Sequence, residues 1–426
     1  MRKYLLRVLI VIVVLTVGGY LLAPQLTSWE GKNEEQKAEQ IISNTHDFYL
    51  RQIVTQDNSH ARMIMWQMPN FEANSLVEYR VRGTKVSQGL TVKGQPFTDN
   101  HQTRYIYSGL LQNLHSGTQY EYRIGYDNYR SKWYSFTTAD NGDFKALVFP
   151  DSQSNDYTDW KNLVQAAYQK HPDADFFINM GDLVDNGEDQ SQWQAWFDAV
   201  SELIQVIPFA PVQGNHETYD LNWQVRSPRA YLNYFAVPSP FAGNNGRHYY
   251  SFDYSDVHFV VLNTQIEELV TLEPNLQTEQ LAWLEKDLAT TEQPWKVVLM
   301  HRDVLQYGHV QQPQRQAGFS TVGTIFMPLF DHYGVDVVLS AHLHTYRRRG
   351  QIYNFHKAQR GPLYILTGVA GNVRYSGIWQ KHELDEAAAP EPETNNYLTL
   401  EHVDNKLRLA AFLSTGKRID FVEISK

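Results

Sequence analysis

From residue 141 onward, apolar runs of strand length alternate with amphipathic stretches of helical length, and no other feature restricts the possible folds as strongly. "FKALVFP", "ADFFINM", "IPFAPVQ", "WKVVLM" and "VDVVLSA" read as strands, while "WKNLVQAAYQKH", "QWQAWFDAVSELI", "QLAWLEKDLATT" and "TIFMPLFDHYG" read as helices. Near-continuous apolar strands joined by helical crossovers imply a sheet covered by helices, an α/β architecture. "RHYYSFDYSDVHFVVLNT", "YLTLEHV", "LRLAAFLS" and "RIDFVEI" alternate like antiparallel strands and are expected to extend the sheets. The acidic "ELDEAAAPEPETNN" (383–396) is expected to be a solvated loop.

Residues 46–140 follow a different rule. "ARMIMWQMP", "LVEYRVRG", "TRYIYSGLL", "QYEYRIGYD" and "SKWYSFTTA" alternate in period two with turn residues between them, the pattern of a small antiparallel β-sandwich. "LQNLHSGTQYEYRI" resembles the part of fibronectin type III-like domains where a tyrosine bonds back to the backbone, a role for Tyr120 or Tyr122. Two domains, 46–140 and 141–426, suit a chain of 426 residues, which exceeds the usual size of one core.

Ahead of them, Arg2, Lys3 and Arg7 precede an apolar stretch from Val8 to Ala23. Residues 1–24 are therefore either a cleaved export signal or an N-terminal membrane anchor, and 25–45 a polar linker. Either way the body is expected outside the cytoplasm, secreted or anchored.

Charge and cysteine content narrow the chemistry. Acidic residues outnumber basic ones 47 to 37, which argues against bulk nucleic-acid binding. The chain has no cysteine, so disulfides, thiolate ligands and a cysteine nucleophile are excluded, and any metal must sit among His, Asp, Glu and Asn.

Those residue types recur at one topological position. Asp151 follows "ALVFP", Asp182 follows "FFINMG", Asn215 and His216 follow "FAPVQG", His301 follows "KVVLM", and His342 with His344 follows "DVVLSA". Strand C-terminal ends converge on one crevice in such sheets. A single Asp there is commonly a helix cap and a single His a hydrogen-bonded structural residue; five strands ending alike point to a metal site. In a strand extension, His342 and His344 would point the same way and address one crevice.

"PDSQ", "GDLVDNG", "GNHE", "VLMH" and "AHLHTYRR" together resemble the ordered motifs of the calcineurin-like metallophosphoesterases, and more narrowly the purple acid phosphatase-like branch, over about residues 46–420. The resemblance implies a four-layer αββα sandwich preceded by the fibronectin type III-like domain. It implies two divalent or trivalent metal ions, Fe, Mn or Zn, one on Asp151, Asp182 and His344, the other on Asp182, Asn215, His301 and His342. The function implied is hydrolysis of a small phosphate ester by in-line attack of a metal-bound hydroxide, with an acid phosphatase-like monoesterase expected ahead of a phosphodiesterase or nucleotidase. A surface-binding module with a vestigial metal site is the alternative from outside enzymology. His216 would protonate the leaving oxygen or stabilise developing charge, Glu217 would support the ligands from behind, and Asn215, His216, Tyr346 and Arg348 would contact substrate. His309 could line the pocket or stand exposed, whereas Arg347 and Arg349 are expected as surface charges.

The chain departs from the family pattern at three places. Gln153 stands where many members have His, Asp185 where purple members have Tyr, and Ala341 where Gly is usual. Gln153 and Asp185 can complete the first metal site with oxygen donors. Without the tyrosinate, an iron-loaded protein is expected not to be purple.

Overall fold

A computed structural model of the chain describes residues 48–238, 248–375 and 377–426. The expected signal or anchor (1–24) and linker (25–45) lie outside the described residues. Among the described residues no helix is long and apolar enough to cross a membrane.

Residues 49–426 form one compact unit built on two large sheets. In the first, Phe144–Phe149, Phe176–Asn179 and Phe209–Pro211 run parallel, and the C-terminal strands Asn396–Val403, Lys406–Leu413 and Arg418–Ser425 add an antiparallel wing. In the second, Val257–Leu262, Trp295–Met300, Val337–Ser340 and Leu363–Thr367 run parallel, with Tyr250–Tyr254 antiparallel at one side. Alternation along the second sheet sets the layers. Val257, Phe259, Val261, Val297, Leu299, Val337, Leu339, Leu363 and Ile365 enter the core shared with the first sheet. Their neighbours Val260, Leu262, Val298, Met300, Val338, Tyr364 and Leu366 enter a second core with the helices Leu276–Thr290 and Thr321–Tyr333. Helices Thr158–Lys170 and Gln190–Ile204 cover the first sheet through Trp160, Leu163, Trp193 and Trp196. The result is the four-layer αββα sandwich, preceded by a small all-β sandwich.

Local chemistry fixes these helices. Asp189 caps Gln190–Ile204, its side chain accepting the backbone N–H of Ser191 and Gln192, and Ser320 caps Thr321–Tyr333 by accepting the N–H of Gly323. The latter helix ends at Gly334, whose φ of +64° suits a residue without a Cβ.

The N-terminal sandwich has one free-standing sheet, formed by Leu76–Val81, Gln88–Thr91, Gln119–Tyr126, Tyr129–Arg130 and Tyr134–Thr137. Its other sheet does not stop at the segment boundary. Arg51–Ile53 pairs in parallel with Phe209–Pro211 through Ile53 and Phe209, so Arg62–Met68, Gln102–Leu111 and Gln95–Asp99 complete one ten-stranded sheet with the strands that follow residue 141. Tyr120 and Tyr122 divide the expected work. The Tyr120 hydroxyl accepts the His115 backbone N–H at 2.9 Å, and the Tyr122 hydroxyl donates to the Gln205 carbonyl at 2.8 Å.

The acidic stretch 383–396 departs from the expected solvated loop. Asp385–Ala388 is a strand paired with Tyr346–Tyr353, and Asp385 and Glu393 are buried. Partners across the chain explain it. Asp385 accepts from the Tyr307 hydroxyl at 2.6 Å, and Glu393 accepts from Thr345 and from the Tyr346 N–H.

Candidate metal centre

The strand ends do converge. Single donor atoms of Asp151, Asp182 and His344 lie within 4.8 Å of one another, as do those of Asp182, His301 and His342, so Asp182 belongs to both groups. His301 Nε2 is 3.1 Å from Asp182 Oδ2 and 3.3 Å from Asn215 Oδ1, and His344 Nε2 is 3.6 Å from Asp151 Oδ1. Asp151, Asp182 and His301 are fully or almost fully buried.

The backbone around these side chains is held in uncommon conformations. Asp182, His342 and His344 have φ of 48°, 76° and 51°, the left-handed region that non-glycine residues seldom occupy and that clusters at functional sites. This replaces the strand-alternation argument for the two histidines: they share a crevice because the chain turns at each of them, not because it stays extended. Two glycines are needed for close approach. A Cβ on Gly214 would lie 2.1 Å from Asp182 Oδ1, and one on Gly181, at φ +100°, 2.5 Å from His301 Nδ1.

Hydrogen bonds behind the donors fix which ring nitrogen faces inward. His301 Nδ1 bonds to the Met180 carbonyl at 3.0 Å and His344 Nδ1 to the Val373 carbonyl at 2.9 Å, leaving each Nε2 for the crevice. His342 donates its backbone N–H to both Asp151 oxygens at 3.1 Å. Glu217, wholly buried, accepts the backbone N–H of Asp182, Leu183 and Gly214 at 3.1, 2.8 and 2.7 Å. It touches no crevice and serves as the support expected of it.

The electrostatics are those of a site short of positive charge. Burial, with Asp182 adding to it, pushes Asp151 up to about 7, although His301 works the other way. Burial also opposes the charge of Asp182, but His301 and His216 outweigh it and hold that carboxyl below the usual range. Burial lowers His344 to about 4 and His342 well below its ordinary value. Gln153 Oε1 and His342 Nδ1 are among the buried polar atoms of the described residues that have no hydrogen-bond partner. Buried polar groups are normally satisfied, and neutral imidazoles, carboxylates and two orphaned lone pairs form a donor set that fits bound cations.

His216 reaches the same space. Its backbone N–H donates to Asp182 Oδ1 at 2.9 Å, and its Nδ1 lies 2.6 Å from the Asp185 carbonyl oxygen, which leaves Nε2 for the cavity it lines. Asp185 is part of this edge, with Oδ1 3.6 Å from His216 Nδ1. The rings of Tyr219 and Trp223 meet His216 edge-on at 5.7 and 5.9 Å. The cavity, about 320 Å³, is lined by Asp182, His216, His342 and His344 and also by His309, Gln312, Arg315, Tyr375 and Trp379, with the Tyr375 ring 4.5 Å from that of His344. His309 thus lines the pocket and is half-buried.

Two expected substrate contacts lie elsewhere. The Tyr346 hydroxyl donates to Asp420 at 2.8 Å, and Arg348 pairs with Asp420 and Glu386 at 2.7 and 2.8 Å, so both side chains face the C-terminal wing. Arg347 and Arg349 are not surface charges. Arg349 is fully buried against Asp303, Asp385 and Tyr307, and Arg347 is buried beside Thr345 and Asp385. Conversely, Gln312, Arg315, Tyr375 and Trp379 come from loops without periodicity, where no sequence signal separates pocket from surface.

The calcineurin-like phosphoesterase family model matches residues 138–346, and the purple acid phosphatase N-terminal domain model matches 49–138. Purple acid phosphatase 23 of Arabidopsis thaliana is 32% identical over 186 residues, 43% of this chain and 38% of that protein. Purple acid phosphatase 1 of Ipomoea batatas is 24% identical over 345 residues, 75% of this chain and 71% of that one. The chain thus spans less than two fifths of the Arabidopsis protein. The purple acid phosphatase PPD1 of yellow lupin (Lupinus luteus) superposes with a TM-score of 0.75 at 18% identity, covering 88% of this chain and 74% of its own. PhoD superposes with a TM-score of 0.64 at 12% identity, covering 88% and 91%. These two likenesses establish the fold.

Proposed function

From a chain that belongs to the calcineurin-like phosphoesterases and carries a purple acid phosphatase N-terminal domain, we propose an extracytoplasmic, metal-dependent phosphomonoesterase of acid phosphatase type. The observation that carries this reading is the pair of overlapping donor groups with Asp182 in common. Asp151, Asp182, His344 and Gln153 would hold one cation, and Asp182, Asn215, His301 and His342 the other, with Fe, Mn and Zn all compatible with the donors. When bound, such a pair supplies an activated water near neutral pH and offsets charge on the phosphoryl oxygens.

The remaining work falls to the chain itself. Asn215, 6% exposed beside His301, would orient a phosphoryl oxygen by its side-chain amide. His216, steered by the Asp185 carbonyl, would present Nε2 to the leaving oxygen and protonate it as the ester bond breaks. Glu217 would keep the Asp182 and Gly214 turns in register, and the buried walls would limit water at the reacting centre. The basic start at Arg2, Lys3 and Arg7 before an apolar stretch supports placing this body outside the cytoplasm.

Asp182→Asn tests the proposal directly, since one substitution weakens both donor groups. Elemental analysis should show metal content falling from about two per chain to below one, with hydrolysis of phenyl phosphate lost. A variant that keeps full metal and full turnover would sink the reading.

A further inference from the structure

Beside the crevice, residues 307–317 form a loop closed at its base by the antiparallel pair Leu305–Gln306 and Gly318–Phe319. Turns within it, Gln312 N–H to the His309 carbonyl at 3.1 Å and Arg315 N–H to the Gln312 carbonyl at 2.9 Å, give it a fixed course. His309, Gln312 and Arg315, each three residues apart, reach the cavity that contains Asp182, His216, His342 and His344. His309 Nδ1 accepts the Gln311 N–H at 3.1 Å, so in the neutral ring Nε2 carries the proton. The loop therefore lines the cavity with hydrogen-bond donors.

Arg315 is the strongest of these. Its Nε donates to the Tyr307 carbonyl at 3.0 Å, and its guanidinium carbon lies 5.4 Å from the centre of the Trp379 ring. Two contacts thus orient the planar group. Among the described residues no carboxylate pairs with it, in contrast to Arg302, which pairs with Glu268 in the adjoining cavity, and to Arg349, which pairs with Asp303. Arg315 also lines that adjoining cavity, together with His342 and Leu343, so it stands where the two spaces meet. An oriented guanidinium without a carboxylate partner among the described residues, in a cavity lined also by Asp182 and four histidines, is a receptor for an oxyanion. On the reading above, the phosphoryl group to be cleaved would sit at the donor groups around Asp182, and Arg315, on a separate loop that lines the same cavity, would meet a second anion.

We propose that Arg315 binds a second anionic group on the alcohol side of the ester, a further phosphate or a carboxylate, and that the preferred substrates carry one. The inference rests on the reading of the crevice as a phosphate-ester site. A guanidinium fork on an oxyanion is expected to strengthen binding by about tenfold or more.

Equilibrium binding to the metal-loaded full chain tests it without turnover, using propylphosphonate, 3-phosphonopropionate and propane-1,3-diphosphonate. At least one of the two probes that carry a second anionic group should bind about tenfold more tightly than propylphosphonate, and which of them does so identifies the second group. Arg315→Gln should erase that preference while leaving propylphosphonate binding unchanged, and Arg315→Lys should restore part of it. Equal affinity for all three probes in the parent protein overturns the proposal, as does a preference that survives Arg315→Gln. So does a variant that weakens all three alike, because Arg315 would then only shape the loop. Phenyl phosphate hydrolysis separates the two readings: binding preference without any hydrolysis overturns the phosphatase proposal alone, and hydrolysis without preference overturns this one alone.

Discussion

Glu217 Oε2 accepts the backbone N–H of Asp182 at 3.1 Å, so the turn that presents the shared aspartate is anchored by a second acid that never reaches the crevice. The same oxygen accepts from Gly214, one residue before Asn215, and ties two ligand-bearing turns to one carboxylate. In Glu217→Gln an amide NH₂ takes the place of one accepting oxygen and confronts backbone donors. The expected cost is about 2–4 kcal/mol of stability, read by denaturant unfolding. Metal affinity should fall about 10- to 100-fold, read by competition with a chelator.

Asp185 bears on colour. A carboxylate stands at the position where purple members have tyrosine, and it lies beside His216. Iron-loaded protein should show no visible charge-transfer band, and Asp185→Tyr should introduce one. The absorption spectra of the two proteins check this without any assay of turnover; a purple parent protein would contradict it.

A pH effect is expected far from the crevice. His258, 8% exposed in its side chain, lies 2.7 Å from Asp253 and 2.8 Å from Asp287. Burial works to lower this imidazole, but the hydrogen bonds to Asp253 and Asp287 outweigh it and raise it to about 9. A folded-state value above the unfolded one of about 6.5 contributes stability that is fully present below pH ~6.5 and is lost as pH rises through ~9. The size is about 2–3 kcal/mol, toward the lower end because Asp253 is 42% exposed and screened. His258→Gln should flatten the stability profile between those limits, as measured by unfolding at a series of pH values.

Arg349 offers a stability test of the wall behind His342. Its guanidinium is buried between Asp303 and Asp385, and Asp303 also accepts from the Ser340 hydroxyl at 2.6 Å, two residues before His342. Removing the cation leaves the buried Asp303 without an ion-pair partner, while Asp385 keeps Arg347 and the Tyr307 hydroxyl, so Arg349→Met should cost about 3–5 kcal/mol. Thermal unfolding reads the loss, and a change under about 1 kcal/mol would mean that water reaches these acids.

What could be read beforehand follows from periodicity. The five strands gave themselves away by apolar runs, and polar residues at their C-terminal ends had nowhere to go but one crevice, which is why Asp151, Asp182, Asn215, His301 and His342 come together here. Side-chain direction past a strand end was not legible. Tyr346 and Arg348 follow the histidine pair by two and four residues, yet face Asp420, a partner 74 and 72 residues away in sequence. Burial of charge was hidden for the same reason: Arg349 and the 383–396 acids look solvated until the residues that neutralise them or bond to them are adjacent. The loop carrying Arg315 has no repeat at all, and only its closure by the Leu305–Gln306 pair gives it direction.

The parallel pairing of Ile53 with Phe209 makes the N-terminal sandwich the closing plank of the sheet that carries Asp151, Asp182 and Asn215 at its strand ends. A chain begun at residue 141 would present Phe209–Pro211 as a raw edge, open to pairing with other molecules, only four residues from Asn215. The two segments should accordingly melt together in a single calorimetric transition. Any module put in place of the sandwich would have to seal the same strand, which leads directly into the crevice.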